Sequence, residues 1–382
     1  MHLYAAAFFI YNQDAKANGM GMAVSASIDN ASAIFYNPSL LPYQKGFAAA
    51  LGDTIIMPNT YFRDSSTGER FNAKSKTHHL PTMFIKYTRG DFSYGLGIFS
   101  PFGLSTEWRK GWTGRYISTL AEIKTTFINP VIACRLNDFI SLGFGISYVK
   151  SSVTMKSAAN LSFLGLPDGL TKLNGDADGF GYNAAITLKF PKDYTVALTY
   201  RSAVDIPYDG RARLYAPAPI RFSTRASTRM TLPSIFVFGI AKHYRKLTIE
   251  GDLLYTGWSS FNYYKIKFKN GMAQQFYRKD WFNTPSIALG ANYRFNEPLE
   301  ARAGYMYDKS PIPKRTVGPD LPDSTRHILM GGITYGTDHV KIDMTYQATF
   351  FKKINSSRSI TGLKGTYSNF AHVILIGMNY TY

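Results

Sequence analysis

Six short turn sequences alternate along the chain with seven longer polar stretches. The turns are Arg89-Gly90-Asp91, Leu136-Asn137-Asp138, Pro191-Lys192-Asp193, Tyr244-Arg245-Lys246, Asn296-Glu297-Pro298 and Gly336-Thr337-Asp338. The longer stretches fall near 57–76, 101–118, 155–177, 207–227, 262–281, 309–323 and 353–365. Between them run segments in which large apolar residues alternate with small or polar ones, as strands bounded by turn residues do. Successive side chains of a strand point to opposite faces, so each segment is apolar on one face only. The count is fourteen strands, with both chain ends on the tight-turn side. An even number of antiparallel strands with short and long connections in alternation is the plan of an all-β outer-membrane barrel. The C-terminal run Ile374-Leu375-Ile376-Gly377-Met378-Asn379-Tyr380-Thr381-Tyr382 keeps the alternation and stops on an aromatic.

Composition agrees. The 382 residues include 27 Tyr and 27 Phe but 4 Trp, and the mean hydropathy is slightly negative at −0.15. No run approaches the roughly 18 apolar residues of a membrane helix. The single Cys134 rules out a disulfide framework and a multi-cysteine metal site, and no cofactor is implied. A net charge of +18 could signify nucleic acid, but the basic residues are spread over loop-like stretches instead of one dense patch. A basic rim facing an anionic lipid surface, lipopolysaccharide included, accounts for them by charge attraction. Leu3 to Tyr11 is apolar and short, the remnant of an export signal or the mature beginning.

The strand pattern fills the interior with charge. Tyr194, Val196, Leu198 and Tyr200 face lipid and send Arg201 inward; Ile249 and Leu253 do the same for Glu250 and Asp252. Later strands turn Arg294, Glu300, Arg302, Lys341 and Asp343 inward. An inward ion needs water or a partner. A barrel this wide is not filled by its wall side chains. Residues 1–43, which precede the first strand, are expected to plug it, leaving 44–382 as the barrel.

The N-terminal stretch Asn18–Tyr43 resembles the hatch signature of the FadL/TodX (OMPP1) family, outer-membrane transporters of long-chain fatty acids and other hydrophobic compounds. The matching positions are Gly19 and Gly21, then Asp29, then Asn37-Pro38. Where the family has Ala after Asn-Pro, this chain has Ser39. Gly95-Leu96-Gly97 with Ser100-Pro101-Phe102-Gly103-Leu104, Trp112-Thr113-Gly114-Arg115-Tyr116, and Arg302-Ala303-Gly304-Tyr305 through Ser310-Pro311 are also similar to that family, in the right order. The resemblance implies a fourteen-stranded barrel with an N-terminal plug. It also implies passive uptake: capture of a lipophilic ligand by outer loops, passage to an inner site, and sideways exit where the third strand meets the hatch.

Candidate sites follow. The third strand, Phe92–Phe99, carries Ser93, Gly95 and Gly97 on its inner face. Such a strand is weakened and open to bulging, which with Phe99 marks a lateral opening; the alternative is clearance for the plug. In the outer loops, Leu161, Phe163, Leu164 and Leu166, with Phe102, Leu104 and Trp108, are expected to form an apolar entrance groove or a loop mini-core. Arg201, Arg294, Arg302 and Lys341 are candidates for a fatty-acid carboxylate. Each could instead pair with Glu250, Asp252, Glu300 or Asp343. Lys150 and Lys156, at the outer end of the fifth strand, suit a ligand head group or lipopolysaccharide.

Enzyme motifs are missing: the His78-His79 pair belongs to no H-E-x-x-H arrangement, and no G-x-S-x-G elbow precedes a helix. The rivals to fatty-acid uptake are a channel for monoaromatic hydrocarbons, a general porin and a surface adhesin. Nothing in the sequence calls for more than a monomer.

Overall fold

The computed structural model describes residues 7–269 and 271–382, so residues 1–6, with the first four of the apolar stretch Leu3–Tyr11, lie outside it. Among the described residues, fourteen antiparallel strands close into a barrel. They are β1 (Gly46–Asp64), β2 (His78–Arg89), β3 (Phe92–Phe99, resuming as Gly103–Glu107), β4 (Leu120–Arg135), β5 (Ile140–Ala159) and β6 (Gly169–Phe190). β7 (Tyr194–Arg201 and Val204–Tyr215) and β8 (Phe222–Leu232 and Ile235–His243) are each interrupted once. β9 (Leu247–Thr256), β10 (Thr284–Arg294), β11 (Leu299–Asp308), β12 (Arg326–Gly336), β13 (Val340–Phe351) and β14 (Gly365–Thr381) complete the wall. β1 and β14 pair from Ala48–Thr381 to Asp64–Gly365. Closure gives every strand a neighbour on both sides, the condition for strands to cross hydrocarbon. Among the described residues no helix is long and apolar enough to cross a membrane.

All six tight turns lie where the sequence predicts them. Three long connections do not: 57–76 begins only at 65, after β1, and 155–177 and 207–227 shrink to the tips 160–168 and 216–221, because β5 to β8 run on past the lipid belt. Above the belt neither face meets hydrocarbon, and residues 152–159 are half-buried without alternation. A strand with no apolar face reads as loop. The fifth long connection holds its own hairpin, Tyr263–Phe268 against Gln275–Arg278, joined to β8 through Ala226–Phe268.

Residues 7–43 are almost wholly buried. Helix α1 (Ala15–Gly19) packs on the inner faces of β11 to β14, and a 3₁₀ turn (Pro38–Tyr43) on β2 to β6, with α2 (Ala33–Tyr36) between them. Asp14 caps α1 by accepting from the Ala17 N–H at 2.9 Å. Gly21 has φ +68°, and a Cβ there would stand 2.5 Å from the Leu289 carbonyl, so both conformation and space require glycine. Asn37 caps the 3₁₀ turn through the Ser39 N–H at 3.0 Å and donates to the Ser25 carbonyl at 2.5 Å. The Ser39 hydroxyl, where the family has Ala, lies 2.7 Å from the Thr187 hydroxyl of β6.

Candidate functional site

The third strand bends into the lumen, but later than its sequence predicts. Its ladder with β2 runs from Arg89–Phe92 to Met83–Ile98, and with β4 from Phe92–Cys134 to Phe99–Phe127. At Ser100-Pro101-Phe102 the strand leaves the wall; it resumes at Gly103 against β4 only. The β2 residues His78 to Thr82 therefore have ladder partners in β1 and none in β3. The interruption falls at Pro101, which has no N–H to give a ladder. The glycines do not loosen the strand. A Cβ on Gly95 would stand 2.8 Å from Ile34 Cδ1, and one on Gly97 2.9 Å from Ile34 Cγ2, so α2 fills their space. The Ser93 hydroxyl meets that of Thr88 at 2.7 Å, and Phe99 is stacked between Phe84 and Phe127. Ser93, Gly95, Gly97 and Phe99 are thus in the paired part of the strand, and the interruption of its ladder falls after them, at residues 100–102.

The N-terminal segment occupies the edge that the bend exposes. Ile10 N–H donates to the Pro101 carbonyl at 2.7 Å and Gly103 N–H to the Phe8 carbonyl at 2.8 Å. The Gln13 amide donates to the Ser100 carbonyl at 3.2 Å and accepts from the Ser100 N–H at 3.1 Å. Further up, the Ala7 N–H donates to Asp323 at 3.0 Å, which also accepts from the Ser310 hydroxyl at 2.7 Å. Burial pushes the Asp323 carboxyl up to about 6, opposed by Arg326.

This arrangement drives Phe8 into an aromatic box. Its ring centroid is 4.8 Å from Trp258, 5.6 Å from Phe261, 5.7 Å from Trp281 and 6.1 Å from Phe102. Beside the ring lies an apolar cavity of about 70 Å³, walled by Leu104, Ile123, Met155, Tyr208 and Met230. Its polar edge is Lys279, paired with Asp320 at 2.5 Å. A second apolar pocket of about 40 Å³ shares Val153, Met155, Tyr208 and Tyr264 with the first and continues between the upper parts of β5 to β8.

Of the loop residues singled out from sequence, only Leu104 lines the cavity. Phe102 packs against Phe8 and Phe9. Trp108 is stacked on Trp112 at 4.2 Å and donates to the Pro319 carbonyl, a loop mini-core away from the cavity. The expected groove does not include Leu161, Phe163, Leu164 and Leu166, since the long β5–β6 hairpin carries them outward. Leu161 is tucked under the tip, Leu166 is half-exposed, and Phe163 is 78% and Leu164 49% exposed. Sequence reasoning missed Phe8, Tyr208, Met230, Phe261, Lys279 and Trp281. One signal was present: Trp is scarce, and Trp258 and Trp281 flank the aromatic-rich stretch Phe261-Asn262-Tyr263-Tyr264.

Three of the four lumen cations are committed elsewhere. Glu300, near the tight-turn end, is 3.1 Å from Arg302, 3.5 Å from Arg294, 3.5 Å from Lys341 and 3.4 Å from Lys16 of α1. Arg302 also meets Asp343 at 3.1 Å, and Lys16 meets Asp29 at 2.7 Å. This network ties α1 to the wall. Arg201 stands apart. It donates to the Phe35 carbonyl at 3.2 Å and lies 5.0 Å over the Phe35 ring and 5.3 Å over that of Phe99, with no carboxylate in salt-bridge contact among the described residues. Glu250 and Asp252 pair with no arginine. Asp252 accepts from the N–H groups of Val24 and Ser25 at 3.1 and 3.0 Å, and Glu250 from that of Ala26 at 2.6 Å. They act as anchors for the backbone of the N-terminal segment.

Comparison with known proteins agrees with this geometry. A family profile described as outer membrane protein transport protein (OMPP1/FadL/TodX) matches residues 2–382. The chain is 26% identical to the long-chain fatty acid transport protein of Escherichia coli O6:H1, with 96% of this chain and 92% of that protein covered. It is 26% identical to outer membrane protein P1 of Haemophilus influenzae, covering 99% and 95%. A Pseudomonas aeruginosa FadL homologue has the same fold at TM-score 0.88 and 21% identity, over 98% of this chain and all of that one. The Ralstonia pickettii toluene transporter TbuX aligns at TM-score 0.78 and 17% identity, covering 98% and 100%. This chain is an outer-membrane β-barrel and belongs to the OMPP1/FadL/TodX family of transport proteins.

Proposed function

We propose that the protein carries long-chain fatty acids inward, passively and as a monomer, with residues 1–43 as the hatch and 44–382 as the channel wall. The observation that carries this is the apolar cavity with Lys279 at its polar edge, beside the break between β2 and β3. A fatty acid has one apolar chain and one carboxylate, and burying each CH₂ is worth about 0.8 kcal/mol. The chain follows the two neighbouring pockets, which share Met155, Tyr208 and Tyr264; the carboxylate exchanges with Asp320 for Lys279. Arg302, Arg294 and Lys341 hold the hatch instead of the ligand, and Arg201 is a second, deeper cation.

Phe8 is the wedge. A cavity of about 70 Å³ does not hold a long chain while that ring is in place, so ligand and Phe8 compete for the aromatic box. Release of Phe8 withdraws the Phe8–Ile10 strand from the bend, leaving the gap between Ser100–Phe102 and His78–Thr82 as the lateral exit. The relatives named for fatty acid transport support this reading.

The box of Phe8, Trp258, Phe261 and Trp281 favours a second reading, a monoaromatic hydrocarbon in place of the Phe8 ring. Binding of labelled oleate and of toluene to Lys279→Met separates the two. A charge-assisted hydrogen bond is worth about 1.5–3 kcal/mol, so oleate affinity should fall at least about tenfold with toluene unaffected. Unchanged oleate binding removes the fatty-acid head-group assignment.

A further inference from the structure

On the outer wall of β5 and β6 the lipid-facing column runs Phe144, Ile146, Tyr148 beside Tyr182 and Phe180, and ends where Tyr148 lies opposite Phe180. Phe180 is 71% exposed, as a side chain against lipid would be. Above this line the same face becomes ionic. Lys150 comes first, opposite Asp178. Higher up, Lys156 of β5 is directly opposite Lys172 of β6, and Lys172 is directly opposite Arg213 of β7. One tier below that row, Arg211 of β7 is directly opposite Arg225 of β8.

Like charges facing each other across a ladder repel, yet three consecutive strands carry such a row and a second opposed pair lies next to it. Among the described residues none of these five cations is in a salt bridge. Arg213 donates instead to Asn174 at 3.1 Å. Asp176 and Asp209, opposed to each other in the tier beneath, form no salt bridge with them either. A row of three spans about 10 Å at the usual strand spacing of 4.7–4.9 Å. Eight residues separate Tyr148 from Lys156, about 26 Å along the strand and about 20 Å above the aromatic line for a strand tilted near 40°. Acyl chains lie against the column below. Lys150 is at the height of a lipid phosphate, and the upper rows are at the height of a sugar head group that projects well beyond it.

We infer that this face binds the phosphorylated saccharide head group of an outer-leaflet glycolipid, a lipopolysaccharide, with Lys156, Lys172, Arg213, Arg211 and Arg225 as the phosphate-binding row. The counter-anion cancels the repulsion that the bare sheet carries. The row Lys156, Lys172 and Arg213 lines neither apolar pocket, while Arg211 also borders the second one.

The test compares the full chain with Lys156→Gln/Lys172→Gln/Arg213→Gln in two environments. In neutral detergent the triple variant, relieved of repulsion, should melt at least about a degree higher. With added rough lipopolysaccharide carrying a phosphorylated inner core, the native chain should gain thermal stability and retain the glycolipid in native mass spectrometry; the variant should retain at least about tenfold less. A Lys156→Arg/Lys172→Arg variant should bind like the native chain. A triple variant that melts lower in both environments makes the cations structural and overturns the inference. Equal binding of dephosphorylated lipopolysaccharide, of phosphatidylglycerol vesicles or of soluble polyphosphate overturns it as well, since the face would then be a general anion surface.

Discussion

The two ends of the lumen hold the N-terminal segment by different chemistry. Toward the tight turns, Glu300 gathers Lys16, Arg294, Arg302 and Lys341, while Glu250 and Asp252 grip the backbone of Val24 to Ala26. The contacts of Arg302 and of the Val24 to Ala26 backbone with these carboxylates are directional and removed from bulk water, so a misplaced partner leaves a buried charge or N–H unpaired. Toward the long loops, Phe8 to Ile10 is held by two backbone hydrogen bonds to the bent third strand and by apolar contact in the aromatic box. Apolar contact is non-directional, and another apolar group can replace it. An ionic base therefore fixes the segment where it must not move, and a greasy top lets a hydrophobic ligand take its place.

Breaking the ionic base should have the largest effect. Glu300→Ala leaves four cations around an empty site, and breaking a buried pair from one side costs about 3–5 kcal/mol. The hatch should loosen, seen as ion conductance in planar bilayers above that of the native chain; a conductance no higher than native would show that α1 is held by other contacts. A smaller effect is expected at the seam between the ends. Gly95→Ala or Gly97→Ala sets a Cβ within 3 Å of Ile34, and overpacking of this kind costs about 1–3 kcal/mol. Uptake and thermal stability should both change, and Ile34→Ala in the same chain should restore them. Failure of that rescue would return the glycines to the role of a weakened strand.

The smallest effect concerns pH at the top. Burial raises the Asp323 carboxyl to about 6, while the hydrogen bond from the Ala7 N–H acts to lower it, so a docked Ala7 favours the ionised form. Docking is therefore helped once the carboxyl is ionised, above about 6, and the gain is lost as pH falls through that range. Between pH 5 and 7 docking should tighten by up to about tenfold, one unit being worth about 1.4 kcal/mol. Hydrogen exchange of residues 8–10 measures it, and Asp323→Asn should flatten the dependence; a native profile with no slope would exclude Asp323 as its source.

The difference between the two ends also explains what could be read in the sequence. The ionic base was legible because strand period alone turns Glu250, Asp252, Glu300, Arg302 and Asp343 inward, whichever partners they meet. Their partners were not. Glu250 and Asp252 bind backbone N–H groups instead of arginines, and no side-chain pattern announces a backbone donor. The apolar top was illegible for a different reason. Phe8, Leu104, Met155, Tyr208, Met230 and Trp281 come from six separate parts of the chain and meet only once the register and the bend at Pro101 are known. The glycines of the third strand lie between these cases. Their inward direction was plain, but Ile34, which fills their space, is about sixty residues away in sequence. β5 to β8 were under-read in length because, above the lipid, the physical cause of alternation ends.

The central claim is that ligand displaces the top of the N-terminal segment and leaves its base in place. Hydrogen exchange of the full chain in detergent micelles, with and without saturating oleate, measures both ends at once. Protection of the Ile10 and Gly103 amides should fall with oleate while that of Val24, Ser25 and Ala26 stays unchanged. Loss of protection at both ends together, or at neither, would contradict the division of the lumen into a fixed base and a replaceable top.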